Sequence, residues 1–299
     1  MEGIVLNNMK MDRVKQKKIL LDTLKYFISI CETNQLTYFI AAGSTLGAVR
    51  HHDIIPWDDD IDIYMPREDY EKLLSLEKSI NNSEYEIISL KNTGYYLPFA
   101  KMVNLNTTIW EYKEFPFVMG IFIDIFPLDR INANKEETIK LITQYKSKFY
   151  NYLRGIKKYT FSDFILSLSQ CEIKSFINKI LDITYYRFNN NKYLTLFLDF
   201  DKQLNDTKRG DYFVVFGGSY GIKEIYKREW FIDYIEIEFA GITVKIPKEY
   251  DEYLTYLYGD YMKLPPIEKQ ISRHCQYYIN IECRKTFHEI EICKKNNAK

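Results

Sequence analysis

Between Asp58 and Asp62, in the run PWDDDIDIYMP, the chain places four aspartates in five positions, and a fifth, Asp124, is the only charge from Ile121 to Phe126. Extended as a strand, the first run would put Asp58, Asp60, Asp62 and Tyr64 on one face and Asp59, Ile61, Ile63 and Met65 on the other. The apolar face can seat the strand; the acidic face calls for a cation. Successive carboxylates on one face lie roughly 6–7 Å apart and raise each other's proton affinity unless positive charge sits between them. An all-oxygen donor set suits Mg²⁺ or Mn²⁺ far better than zinc. A carboxylate buried alone, as Asp124 would be in GIFIDIF, must stay neutral or find a cation. The expectation is one divalent ion shared by Asp60, Asp62 and Asp124.

Two rival uses of the acidic run can be weighed on the same residues. Asp58-x-Asp60-x-Asp62 imitates the opening of an EF-hand calcium loop, which needs glycine next and a bidentate glutamate at position twelve. The chain has Ile63 and Asp69 there, with Pro66 between, so that reading fails. The D-x-D of metal-dependent glycosyltransferases, which holds a nucleotide-sugar diphosphate through its ion, stays open.

Elements must bring these groups together. Leu36–Ala42 reads as a short buried strand ended by Gly43-Ser44, and TLGAVR then begins a helix with Ser44 as its cap. A glycine-serine turn at a helix start offers backbone N–H groups to a phosphate. An amphipathic helix from Asp12 to about Glu32 precedes it, and Pro66 opens another through REDYEKLLSLEKSI. Tyr85–Leu90, Pro98–Asn104, Thr107–Tyr112 and Gly120–Leu128 are strand candidates. Beyond Asn134 the period becomes helical through KEETIKLITQYKSKFYNYL, FSDFILSLSQ, IKSFINKILDITYYRF and KYLTLFLDFDKQL. YFVVFGG, the hairpin IEIEFAGITVKIP and the helix KEYDEYLTYLYGDY restore mixed structure. The expected class is α+β, divided into a core over 1–133, a helical insertion or lobe over 134–209, and a segment 210–299 that completes the catalytic unit.

The 41 Lys and Arg balance 41 Asp and Glu, so no basic excess advertises nucleic acid as a partner. Five dispersed cysteines argue for a reducing, cytoplasmic setting, and no run of about 18 apolar residues reads as a membrane span. Cys275, Cys283, His288 and Cys293 lack a C-x₂-C pair, which favours idle thiols over zinc.

The ordered set of Gly43-Ser44, PWDDDID and a second acidic strand resembles the nucleotidyltransferase fold. More narrowly, GSTLGAVRHHDIIPWDDDIDIYMPREDYEKL, FIDIFPLD, and IPKEYDEYL followed by YGDYMKLPP resemble the LicD family of bacterial phosphocholine transferases, whose relatives include the fukutin-type ribitol-phosphate transferases. The resemblance implies that Asp60 and Asp62 bind a catalytic Mg²⁺ (or Mn²⁺), with Asp124 as third ligand or base and Asp58 as an extra ligand. It puts Gly43, Ser44 and Thr45 against nucleotide phosphates, and Arg50, Lys101 and His274 near the diphosphate. The implied donor is a CDP-alcohol, CDP-choline most simply, and the acceptor a hydroxyl of a surface glycan or its lipid-linked precursor. Such an acceptor would favour peripheral contact with the inner membrane face. A choline head would need aromatic faces, for which Trp57, Tyr95, Tyr96, Trp110 and Tyr112 are candidates, although aromatics in strands usually belong to cores.

Overall fold

The computed structural model describes residues 2–131, 134–205, 210–272 and 276–297, with side chains between 13 and 294. The architecture is mixed α+β. Helix α1 (Glu2–Thr33) runs longer than the sequence periodicity suggested and buries Leu20, Leu24, Phe27 and Cys31. Strand β1 (Phe39–Ile40) is only two residues long, because α2 (Ala42–His51) starts directly behind it. After β2 (Asp62–Pro66) come α3 (Arg67–Ser75), α4 (Glu77–Ile80), β3 (Tyr85–Ile88), β4 (Ala100–Asn104), β5 (Thr108–Trp110) and β6 (Phe122–Ile131).

Helices then take over: α5 (Lys135–Ile156), α6 (Phe161–Ser169), α7 (Ile173–Leu181), a π-helical turn (Asp182–Tyr186) and α8 (Asn190–Asn205). Asn134 caps α5 by accepting from the Glu137 N–H, while the Glu137 side chain accepts from the Asn134 N–H. The chain returns through β7 (Tyr212–Val214), β8 (Ile225–Lys227), the hairpin β9 (Tyr234–Phe239) and β10 (Ile242–Pro247), α9 (Tyr250–Tyr258), β11 (Tyr278–Asn280) and α10 (Phe287–Asn297).

The main sheet has the order β1-β2-β6-β4-β3, and β7 and β8 extend it from the far half of β6. Strands β2 and β6 run parallel with Asp62 opposite Asp124; β4 is antiparallel to β6 and sets Lys101 opposite the same Asp124. Alternation sorts the faces of the central pair. Ile63, Met65, Ile123 and Ile125 enter the core beneath α1. Tyr64 and Leu128 enter a second core with Tyr253 and Leu254 of α9. The face that carries Asp62 and Asp124 is therefore apolar further along, and the acids stand where it opens. A third cluster joins Ile142, Tyr145 and Phe149 of α5 to Phe197 of α8 and to Val214 and Ile225. Arg67, at the start of α3, clamps Asp129 of β6 with Nε–Oδ1 2.6 Å and Nη2–Oδ2 2.9 Å, and reaches Asp201 of α8 at 3.4 Å.

Two sequence expectations are corrected. The strand read from Trp57 to Met65 begins only at Asp62, and residues 58–61 form no ladder. Asp58 sits in a turn, its N–H donating to the Ile55 carbonyl at 2.8 Å. Asp59 is taken by the C-terminal segment, accepting from the Ser272 hydroxyl at 2.9 Å and from Gln276 Nε2 at 2.8 Å. Ser44 is not the cap of α2. That position is Ala41, and Ser44 lies inside the first turn.

Candidate active site

The site begins at the join of β1 and α2. The Ala42 N–H donates to the Tyr253 hydroxyl at 2.9 Å, and the Thr45 hydroxyl donates to the Ile40 carbonyl at 2.6 Å, fixing the first helical turn on the strand end. The Asp62 N–H donates to Ser44 Oγ at 2.9 Å, which ties the helix to the acidic strand. The two hydroxyls expected against a phosphate thus serve the backbone. What the turn still offers an anion is its helix N-terminus. Gly43 has a steric reason: a Cβ there would stand 3.0 Å from Asp58 Oδ2. Asp58 thereby closes against the turn.

Asp60, Asp62 and Asp124 each offer a carboxylate oxygen, and these oxygens all lie within 4.8 Å of one another. They are the one such group of potential metal ligands among the described residues, and Asp58 stands outside it. The parallel register accounts for two of the three, because in-register neighbours place their side chains side by side. Asp60 approaches from the irregular segment before β2. Burial pushes its carboxyl well above the usual carboxylate range, and the charges of Asp62, Asp58, Asp124 and Asp59 add to the shift. Three clustered carboxylates of this kind fit a hard divalent cation, whose charge would relieve the repulsion.

Lys101, expected near a diphosphate, is 1 % exposed and committed to the trio: its Nζ lies 2.6 Å from Asp124 Oδ1 and 3.8 Å from Glu111 Oε2. The Phe122 ring centroid is 3.2 Å from the same ammonium, and the Tyr96 hydroxyl donates to Glu111. Arg50 projects from the last turn of α2, with Nη1 donating to the Tyr261 carbonyl at 2.6 Å and its guanidinium 6.0 Å from the Trp57 ring. His274 and Cys275 lie outside the described residues. Of the aromatic candidates, Tyr95, Tyr96 and Trp110 are core residues at 0 %, 2 % and 2 % exposure, whereas Trp57 and Tyr112 reach the surface.

Two tyrosines that sequence reading passed over complete the rim. Tyr220, in the loop between β7 and β8, shares a hydrogen bond with Tyr258 of α9, oxygen to oxygen 2.9 Å. Burial pushes the Tyr220 phenol up to about 12; the hydrogen bond from Tyr258 opposes this, and the charges of Asp62, Asp58 and Asp60 reinforce it, so the phenol lies within electrostatic range of the acids. The local signal was FGGSYG, the only adjacent glycine pair in the chain, set beside a tyrosine.

A family profile described as the LicD/FKTN/FKRP nucleotidyltransferase domain matches residues 35–170, which span the α2 turn, all three acids and Lys101. That stretch is a LicD-type domain. Among relatives, the lipopolysaccharide cholinephosphotransferase LicD of Haemophilus influenzae is 28% identical over 267 residues, 88% of this chain and 96% of that protein. The human ribitol 5-phosphate transferase FKRP is 42% identical over 101 residues, 32% of this chain and 20% of that protein. An uncharacterized protein of Rickettsia typhi, RT0683, is 41% identical over 141 residues, 46% of this chain and 42% of its own length. The long LicD alignment extends the family likeness beyond the matched domain.

Proposed function

We propose that this chain transfers a phosphoalcohol, phosphocholine first among candidates, from a CDP-alcohol to a hydroxyl of a cell-surface glycan or its lipid-linked precursor, releasing CMP. The observation that carries the reading is the convergence of Asp60, Asp62 and Asp124 within the segment the family profile matches. These three residues would hold Mg²⁺, which when bound would neutralise charge on the diphosphate and on departing CMP. We place the nucleotidyltransferase-like unit in residues 1–133 and 210–299, with 134–209 as its helical lobe.

The chain's own residues do the rest. The α2 N-terminus at Gly43 faces the donor phosphates, and Arg50 supplies a cation at the rim. Asp124, held by Lys101, orients the acceptor hydroxyl and takes its proton as the oxygen attacks the alcohol-bearing phosphorus and the bond from that phosphorus to the CMP oxygen breaks. Lys101 is a positioning residue. Tyr220, Tyr258 and Trp57 present aromatic surface to the transferred alcohol, a quaternary ammonium being held by ring faces instead of hydrogen bonds. Positioning and fixed charge supply most of the rate in such a site.

The test is a donor panel of CDP-choline, CDP-ethanolamine, CDP-ribitol and UDP-sugars, with mass spectrometry of the nucleotide released by the purified chain. CMP release that requires Mg²⁺ and falls at least about a hundredfold in Asp60→Ala and Asp62→Ala is the expected outcome. Release of UDP instead, or CMP release indifferent to both substitutions, would overturn it.

A further inference from the structure

Helices α6 and α7 form an antiparallel hairpin. Ser167 Oγ lies 3.4 Å from Ser175 Oγ, the rings of Phe164 and Phe176 are 5.8 Å apart, and Lys179 Nζ donates to the Asp163 carbonyl at 2.6 Å. These contacts use one side of each helix. At about 100° per residue, Phe161, Ile165 and Leu168 form a separate stripe on α6, and Ile173, Ile177 and Ile180 one on α7. Both stripes are rotated in the same sense from the contact line, and in an antiparallel pair that sets them on the same side of the hairpin. An apolar stripe at i, i+4 and i+7 normally faces a core. Here the six side chains are between 39 % and 81 % exposed.

The segment that carries this face is biased toward positive charge. Residues 157–192 carry six Lys and Arg against three acids, in a chain whose total charge is zero. Two of those acids are used internally. Asp163 accepts from Lys113 at 2.9 Å and caps α6, and Asp182 accepts from Arg154 at 2.5 Å and from the Tyr159 hydroxyl at 2.7 Å. Lys174, Arg187 and Lys192 remain exposed, against Glu172.

We infer that the α6–α7 hairpin docks on an anionic lipid surface, its apolar side entering the acyl boundary while the lysines meet headgroup phosphates. An apolar partner protein would satisfy the stripes but would give the basic excess of residues 157–192 nothing to pair with. Among the described residues no helix is long and apolar enough to cross a membrane, so attachment would be lateral. The inference deepens the proposed reading by bringing the enzyme to a lipid-linked acceptor, yet it is read out without donor or acceptor, so either can fail alone.

The full chain is floated with vesicles of phosphatidylcholine alone and of phosphatidylcholine with about one third phosphatidylglycerol, in parallel with light scattering in lipid-free buffer. Partition into the anionic vesicles is expected, at least about fivefold weaker for Lys174→Glu or Lys192→Glu. Ile165→Glu/Ile177→Glu should lose partition with unchanged helical circular dichroism and an unchanged urea unfolding midpoint. Three results would each overturn the inference: a wild type that stays with the pellet, partition indifferent to these substitutions, or a wild-type dimer that the double substitution turns into a monomer.

Discussion

Lys101 shows how a buried charge is tolerated at the residue scale. Its ammonium is almost fully buried, so it depends on Asp124 and, more distantly, on Glu111 for compensation. Lys101→Met would leave Asp124 and Glu111 with their shared cation removed. Urea unfolding is expected to show a loss of about 3–5 kcal/mol without divalent metal, and a smaller loss when Mg²⁺ is added; equal losses in both conditions would count against a shared electrostatic site. Asp60, Asp62 and Asp124 were legible in the sequence because their chemistry is abnormal for their neighbourhood: acids beside strand-forming isoleucines. The commitment of Lys101 to Asp124 was not legible, since one lysine in PFAKMVN resembles any other until the antiparallel register of β4 on β6 is known. Ser44 and Thr45 were noticed for their hydroxyls, but those hydroxyls hold backbone together, a use that local sequence does not distinguish from ligand binding.

The element that turns on a single proton is the loop between β7 and β8. Glu224 is 2 % exposed; its Oε2 accepts from the Gly221 N–H at 3.0 Å. Gly218 passes so close that a Cβ there would fall 1.6 Å from Oε1. This loop carries Tyr220, which it sets against Tyr258 of α9. Burial pushes the Glu224 carboxyl up to about 7, with Lys146 opposing the shift. The folded chain therefore keeps a proton there that the unfolded chain gives up above its ordinary value near 4.5. Stability from this residue is full at pH 4 and lost as pH rises toward 7, a decline of about 3 kcal/mol that Glu224→Gln should flatten. Denaturant titrations of both proteins between pH 4 and 8 measure it, and parallel pH profiles would refute it. Periodicity identified the long helices and the β9–β10 hairpin, because 3.6 and 2 are distinct signals. It misjudged residues 57–61 because Asp59 is claimed by Ser272 and Gln276, more than two hundred residues away.

Across the whole molecule, the α+β class followed from the order of the predicted elements. The attachment of β7 and β8 to the first sheet did not, since their pairing skips the helical segment entirely. Arg67 adds a second tie, joining α3 to Asp129 of β6 and Asp201 of α8, so the helical segment is fastened to the sheet by charge as well as packing. Strand β6 is ten residues long, lies against β2 and β4 in one half and β7 in the other, and so cannot lose its ladder until both halves of the sheet part. Its amides from Ile123 to Phe126 and at Leu128 should consequently be among the last to take up deuterium, opening only with global unfolding, while the exposed α6–α7 hairpin exchanges much earlier. Asp124 would then ride on the slowest-breathing stretch of the protein, which keeps the carboxylates in register while the periphery fluctuates.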